Sequence, residues 1–125
     1  MWKLQWELPI DTDHTDEIVI GKFDPDIDEE LLAIVSGWEG FMIVDKQGHI
    51  LARDINGHGQ RISVANYCPQ MRGLQICTTT FWENQGIIYL YDCKGREIWH
   101  KEPSSNGNVV APVNWCGDGT ELILA

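Results

Sequence analysis

Short runs of alternating apolar and polar residues recur along this chain, and residues that favour turns separate them. Runs of this length and period predict β-strands. In three places such a run ends in an aromatic residue, after which a polar loop and then an aliphatic run follow. The runs that end in Phe23, Tyr67 and Trp115 are residues 18–23, 62–67 and 110–115, and the aliphatic runs are residues 31–35, 74–77 and 122–125.

Two further strands complete the pattern in the same register. A third strand is predicted at 41–45 and again at 87–92, and each leads into an Asp-x-x-Gly turn, at 45–48 and 92–95. Aspartate favours the start of such a turn, and glycine supplies the positive φ near its end. A fourth strand follows at 49–52 and 96–99. The pattern predicts an all-β chain without a helix.

The spacing of the three aromatic residues, 44 and then 48 residues, is typical of the four-stranded blades of a β-propeller. We therefore predict four-stranded antiparallel β-propeller blades. Residues 1–9 would form an orphan outer strand, 10–53 one blade, 54–103 a second blade and 104–125 half of a third. A small β-sandwich that is complete in itself is the alternative.

A single blade cannot bury both of its faces, so neighbouring blades must supply the core. Two and a half blades are too few for a closed ring. We therefore expect either part of a larger propeller chain or a homo-oligomer in which several copies complete the ring.

Composition narrows the function without identifying it. The net charge of −10 argues against a nucleic-acid partner, which requires a basic surface. The sequence has neither an apolar run long enough to span a membrane nor a signal-like segment. The four cysteines form no C-x-x-C pair. We expect free thiols, which favour a reducing compartment such as the cytoplasm.

Acidic loops follow two of the repeated aromatic residues. Alternate carboxylates on a tight loop provide the oxygen ligands that Ca²⁺ requires. The sequence therefore predicts calcium sites, although a solvated acidic turn is the simpler interpretation. The candidate ligands are Asp24, Asp26 and Glu30 in the first loop, and Asn114, Asp118 and Glu121 in the third.

Three polar residues stand at equivalent positions just before the first strand of their units. They are His14, His58 and Asn106. In a propeller, these loops meet near the central channel, where substrates bind. An imidazole there could donate a hydrogen bond, transfer a proton or bind a metal. We predict that the three residues bind a substrate; a histidine that only stabilises its turn is the alternative.

Aromatic residues could stack on sugar rings, but their repeated positions favour packing between blades. We expect a structural role for Phe23, Tyr67 and Trp115, and also for Trp38 and Trp82.

Three stretches of sequence together indicate a family. Residues 57–69 with 73–76 and residues 14–26 resemble blade starts of the family 11 polysaccharide lyases, the rhamnogalacturonan lyases, and residues 114–122 are similar to a blade start in bacterial lyase-like proteins. The resemblance covers nearly the whole chain, but it rests on repeat motifs, which identify a propeller better than an activity.

The resemblance implies an eight-bladed propeller, Ca²⁺ in the acidic loops and β-elimination on pectin-type polysaccharides. His58 and His14 would match the histidine that lines the family's cleft, and Asp24, Asp26 and Glu30 its calcium loop. The sequence departs from the family pattern at Cys68 and Gln70, which stand where acids would be expected, and no residue is assigned as the base.

Two functions follow from this reading. The first is polysaccharide β-elimination or carbohydrate binding in a parent protein, with no activity expected from this short chain alone. The alternative is a non-catalytic propeller module, of the integrin-alpha-like FG-GAP type, that self-assembles or binds a protein partner.

Overall fold

The protein is all-β, as the sequence pattern predicts. The structure is a computed structural model that describes residues 1–11, 13–82, 86–103 and 110–125. Within these residues there are ten strands and no helix, and every strand pairing is antiparallel. The described part of the chain accordingly contains no helix that could cross a membrane.

The strands form three sheets, which we call units 1, 2 and 3. Within each unit, consecutive strands are neighbours. Unit 1 contains β1 (Thr15–Gly21), β2 (Leu31–Ser36), β3 (Gly40–Val44) and β4 (Ile50–Asp54). Unit 2 contains β5 (Gly59–Ala65), β6 (Gln75–Thr80), β7 (Ile88–Tyr91) and β8 (Glu97–Lys101). Unit 3 contains β9 (Ala111–Val113) and β10 (Leu122–Leu124).

The repeat extends to irregularities that the sequence does not reveal. The pairing of the first two strands shifts register between Thr15 and Glu17 in unit 1, and between Gly59 and Arg61 in unit 2. The Asp-x-x-Gly turns are also equivalent. Asp45 Oδ1 accepts hydrogen bonds from the backbone N–H groups of residues 47 and 49, and Asp92 Oδ1 accepts those of residues 94 and 96. The two four-stranded units therefore share one backbone design.

Successive side chains of a strand point to opposite sides of the sheet, so each unit has two faces. Both faces carry apolar side chains. We call the side facing the next unit the forward face and the opposite side the rear face. The core between units 1 and 2 joins the forward face of unit 1 to the rear face of unit 2, and Phe41 stacks on Tyr91 with ring centroids 4.4 Å apart. Its buried residues are Phe23, Leu31, Ala33, Val35, Phe41 and Ile43 from unit 1, and Ile62, Ile76, Tyr91 and Cys93 from unit 2.

A second core makes the same type of contact between units 2 and 3. The forward face of unit 2 contributes Cys77 and Leu90, and Val110 and Ile123 come from unit 3. Both cores between the described units thus join a forward face to a rear face.

The prediction of an outer strand at residues 1–9 is wrong, because no strand forms there. Trp6, Leu8 and Ile10 instead pack on the rear face of unit 1, against a cluster that contains Met42 and Val44. The N-terminal residues are thus held by burial of their apolar side chains on a sheet face, and not by backbone pairing at a sheet edge.

The repeated aromatic residues divide into two groups. Phe23 and Tyr67 are buried in the cores between units, as expected for packing residues. Trp115 is largely exposed, contrary to the same expectation. The reason is its position in unit 3, since no described residues cover the forward face of that unit.

A buried tyrosine also ties units 1 and 2 together through hydrogen bonds. The Tyr91 hydroxyl donates to Asp54 Oδ2 at 2.7 Å and accepts from Asn56 Nδ2 at 2.5 Å. Burial, together with the nearby Asp54 carboxylate, raises the pKa of Tyr91 far above its usual value, so the phenol is the donor toward Asp54.

Replacing Tyr91 with Phe should destabilise the protein by about 1–3 kcal/mol, since it leaves the partly buried Asp54 carboxylate without its donor. Urea unfolding followed by circular dichroism measures the change. Tyr89→Phe is the matched control because Tyr89 stacks on Tyr91 but is only partly buried. Equal losses in both variants would contradict this role for Tyr91.

Candidate functional site

A cleft with a volume of about 440 Å³ opens at one end of the sheets of units 1 and 2. His14 precedes β1 and His58 precedes β5, while Trp38 and Trp82 lie in the turns after β2 and β6. Antiparallel pairing places strand starts and those turns at the same end of each sheet. The lining residues are Asp13, His14, Trp38, His58 and Trp82.

Two aspartates surround His14. Its Nδ1 lies 3.1 Å from Asp13 Oδ2, and its Nε2 lies 3.2 Å from Asp16 Oδ2. The hydrogen bond with Asp13 raises the pKa of His14 above 6.5, desolvation opposes this, and the negative charge of Asp16 adds to the rise. The imidazole is therefore held in place from both sides.

His58 is the buried member of the pair, with 3% of its surface exposed. Its ring centroid lies 5.1 Å from that of His14 and 5.5 Å from that of Trp38, whose ring it meets edge-on. The Nδ1 atom of His58 is buried and has no hydrogen-bond partner. Buried polar groups nearly always have a partner, so this nitrogen marks the cleft as a candidate for binding a ligand.

Close approach of the backbones holds the two histidine segments together. Gly37 N donates to His14 O at 2.8 Å, and Gly59 N donates to Gly37 O at 2.9 Å. A Cβ at position 59 would lie only 2.8 Å from the carbonyl oxygen of Gly40, so only glycine allows this approach. Gln60 Nε2 also donates a hydrogen bond to Asp16 Oδ1 at 3.0 Å. These two residues lie at the equivalent register shifts of β5 and β1.

Three residues of the cleft have the geometry of a metal site. Among the described residues, Asp13, His14 and His58 are the one group of three acids, histidines or cysteines whose ligand atoms all lie within 4.8 Å of one another. Two imidazole nitrogens and one carboxylate oxygen suit divalent first-row transition metals better than Ca²⁺, which takes oxygen ligands.

The structure thus brings together two of the three predicted substrate-binding residues, His14 and His58. Asn106 lies outside the described residues. Sequence reasoning missed Asp13, and it assigned Trp38 and Trp82 to the core, although 45% and 62% of their surfaces are exposed. Topology alone could have indicated them, since the turn between the second and third strands lies at the same end of the sheet as the histidine loops.

The acidic loop of unit 1 lies at the opposite end of β1 from this cleft. Lys94 Nζ contacts Asp24 Oδ2 at 3.0 Å and Asp26 Oδ2 at 2.9 Å, and Arg72 Nη2 contacts Asp26 Oδ1 at 2.6 Å. Glu30 is exposed, and the three acids are not grouped like metal ligands. Calcium at Asp24, Asp26 and Glu30 stays a prediction, but two basic side chains already neutralise two of the proposed ligands.

The second set of calcium ligands makes local and interunit contacts. Asp118 Oδ1 accepts the Thr120 N–H at 2.9 Å within its own turn. Glu121 Oε2 accepts the Asn66 N–H of unit 2 at 2.5 Å. Asn114 is exposed. The contact of Glu121 indicates an anchor between units, and calcium at these residues also stays a prediction.

The chain matches no protein-family model, no curated protein and no solved structure.

Replacing Lys94 with Met should lower the melting temperature at neutral pH, because the buried Asp24 carboxylate loses its cation. Lys94 also donates a hydrogen bond to Asp26 and lowers the pKa of that carboxyl below 3.8, so the stabilisation from the Lys94–Asp26 pair is present above that value and is lost as the pH falls through the lowered pKa. The difference between wild type and variant, measured by thermal unfolding, should therefore shrink in strong acid.

Lys22→Met is the control for this comparison. Lys22 pairs with Asp28 at 2.7 Å, and both side chains are exposed, so the variant should retain nearly the full melting temperature. If Lys94→Met behaves like Lys22→Met at neutral pH, Lys94 does not hold the loop.

Proposed function

We propose that this chain is a propeller-type repeat region that binds carbohydrate in the cleft between units 1 and 2. The observation that carries the proposal is the pair of exposed indoles, Trp38 and Trp82, beside the two histidines and Asp13. Two units of equal strand order, with register shifts at equivalent positions, support the assignment of the sheets as blades.

Exposed indoles in a polar cleft suit a sugar because the flat ring covers the apolar C–H face of a pyranose. The imidazoles and Asp13 then offer polar groups to its hydroxyls, a combination typical of small-molecule sites. Trp82 also has a φ of 39°, in a region that non-glycine residues rarely adopt. Such strain is found preferentially at functional sites, which supports a binding role for this turn.

The residues of the cleft also fit a divalent metal ion. Asp13, His14 and His58 would hold it, and coordination would give the unpartnered Nδ1 of His58 a partner. When bound, such an ion would offer a positive coordination position to a carboxylate or hydroxyl group of the sugar.

Charge determines which sugars the cleft accepts. Asp13 lines it, Asp16 contacts His14, and the carboxylate of Glu39 accepts the Asp13 N–H at 3.3 Å. The negative charge around the cleft would repel the carboxylate of a uronate, whereas a neutral sugar would be tolerated. A bound cation would reverse that preference, which connects the cleft to the pectin-type polysaccharides that the resemblance to rhamnogalacturonan lyases implies.

We propose binding rather than elimination for the cleft as it stands. Among the described residues that line it there is no lysine or arginine, so no basic side chain is present to neutralise a uronate carboxylate and acidify the proton α to it. Formation of an unsaturated product from rhamnogalacturonan, followed by ultraviolet absorbance, would show elimination and replace this proposal with the enzymatic one.

Titration of the metal-free protein with Zn²⁺ or Mn²⁺ should raise its melting temperature, while Ca²⁺ should have a smaller effect. A metal at about 100 times its dissociation constant contributes about 2.7 kcal/mol. His58→Ala should abolish the effect, whereas His100→Ala, at an exposed histidine paired with Glu97, should leave it unchanged. An equal response in wild type and His58→Ala would contradict the metal site.

Calorimetric titration with neutral and uronate-containing oligosaccharides tests carbohydrate binding directly. We expect Trp38→Ala and Trp82→Ala each to weaken binding at least tenfold, which corresponds to about 1.4 kcal/mol. Trp99→Ala, at an indole on β8 away from the cleft, is the control. Uronate binding should require the metal and neutral-sugar binding should not. Absence of heat with every sugar, with and without metal, would overturn the proposal.

A further inference from the structure

The contact between units is directional and recurs in the chain. The forward face of unit 1 packs on the rear face of unit 2, and the forward face of unit 2 packs on unit 3. The series leaves two apolar faces without a neighbouring unit among the described residues. They are the rear face of unit 1 and the forward face of unit 3.

The rear face of unit 1 is an apolar surface formed by all four strands. Cross-strand partners lie on the same side of a sheet, which assigns these residues to one face. Its apolar residues are Ile18 and Ile20 on β1, Leu32 and Ile34 on β2, Met42 and Val44 on β3, and Ile50 on β4, and the exposed Arg53 on β4, the cross-strand partner of Met42, is a charged residue on the same face.

An N-terminal strap, residues 6–10, covers part of this face. Trp6, Leu8 and Ile10 pack against the side chains from β2, β3 and β4. The indole Nε1 of Trp6 donates to Lys46 O at 2.9 Å, and its ring lies over Gly48, where a Cβ would come within 2.8 Å of the ring. The position of the Trp6 ring therefore requires that residue 48 has no side chain.

The strap leaves the β1 side of the face open. Ile18 is 46% exposed, whereas Ile62, its equivalent 44 residues later, is 4% exposed because unit 1 covers it. Ile20 is also exposed. The strap therefore covers less of this face than a whole unit covers on unit 2.

The complementary face occurs on unit 3. Ile123 packs toward unit 2, so Leu122 and Leu124 point to the other side of β10, where both are exposed. At both interfaces between units, a rear face packs against an apolar forward face.

We propose that the rear face of unit 1 is an association surface for the forward face of unit 3 in a second copy of this chain. The N-terminal strap holds this surface closed. The contact is head-to-tail, so each copy could bind one neighbour at either end. The strap and the second copy compete for the same apolar side chains, and the wild-type chain is therefore monomeric.

The test is sedimentation velocity of the full chain over a series of concentrations. Wild type should sediment as a 14.2 kDa monomer. The double variant Trp6→Ala/Leu8→Ser, which releases the strap, should show a weight-average mass that rises with concentration to at least twice that value. Circular dichroism checks that the β-structure is retained.

Two added substitutions identify the surfaces involved. Ile20→Asp on the rear face or Leu124→Asp on the forward face should each return the released variant to a monomer, because each places a charge in the contact. Ile55→Asp, at an exposed residue outside both faces, should leave the association unchanged. A released variant that stays monomeric, or whose association is insensitive to Ile20→Asp and Leu124→Asp, overturns the proposal.

A milder variant of the strap provides a second test in case the double variant unfolds. Trp6→Phe keeps an aromatic ring on Gly48 but loses the hydrogen bond to Lys46. It should associate more weakly than the double variant but more strongly than wild type. If both strap variants unfold, the strap is an integral part of the core and the proposal is overturned. The outcome does not depend on the cleft, so it is independent of the proposed carbohydrate function.

Discussion

Burial of one sheet face against the next is the interaction on which the rest of this structure depends. A four-stranded antiparallel sheet with apolar side chains on both sides cannot satisfy both faces by itself. Units 1 and 2 solve this by joining a forward face to a rear face, and Phe41 stacks on Tyr91 within that core. Tyr91 adds a hydrogen bond to Asp54 across the same boundary.

The cleft is a consequence of that contact. His14 and His58 are 44 residues apart in sequence, and stacking of the two sheets brings their rings to 5.1 Å. Gly37 and Gly59 allow the two backbones to approach, and the bond between Asp16 and Gln60 fixes the register between them. The candidate site at this place therefore depends on correct packing of units 1 and 2.

The two ends of the sheets differ in their charged groups and in the exposure of their aromatic residues. At the cleft end, carboxylates face imidazoles and exposed indoles, so the local charge is negative and a buried nitrogen lacks a partner. At the other end, Lys94 and Arg72 form ion pairs with Asp24 and Asp26 in the acidic loop of unit 1. The cleft end is therefore the candidate site, whereas ion pairs at the other end join units 1 and 2.

The sequence by itself determined the strands, the Asp-x-x-Gly turns and the equivalence of His14 and His58, because period-two alternation and turn chemistry are local properties. It predicted the wrong environment for Trp38, Trp82 and Trp115 and a strand at residues 1–9 that does not form. Whether an apolar residue is covered depends on which surface reaches it, and this is a property of distant segments. Only the tertiary structure decided that Asp13 joins the histidines, that Lys94 neutralises Asp24, and that the N-terminal strap covers the rear face of unit 1.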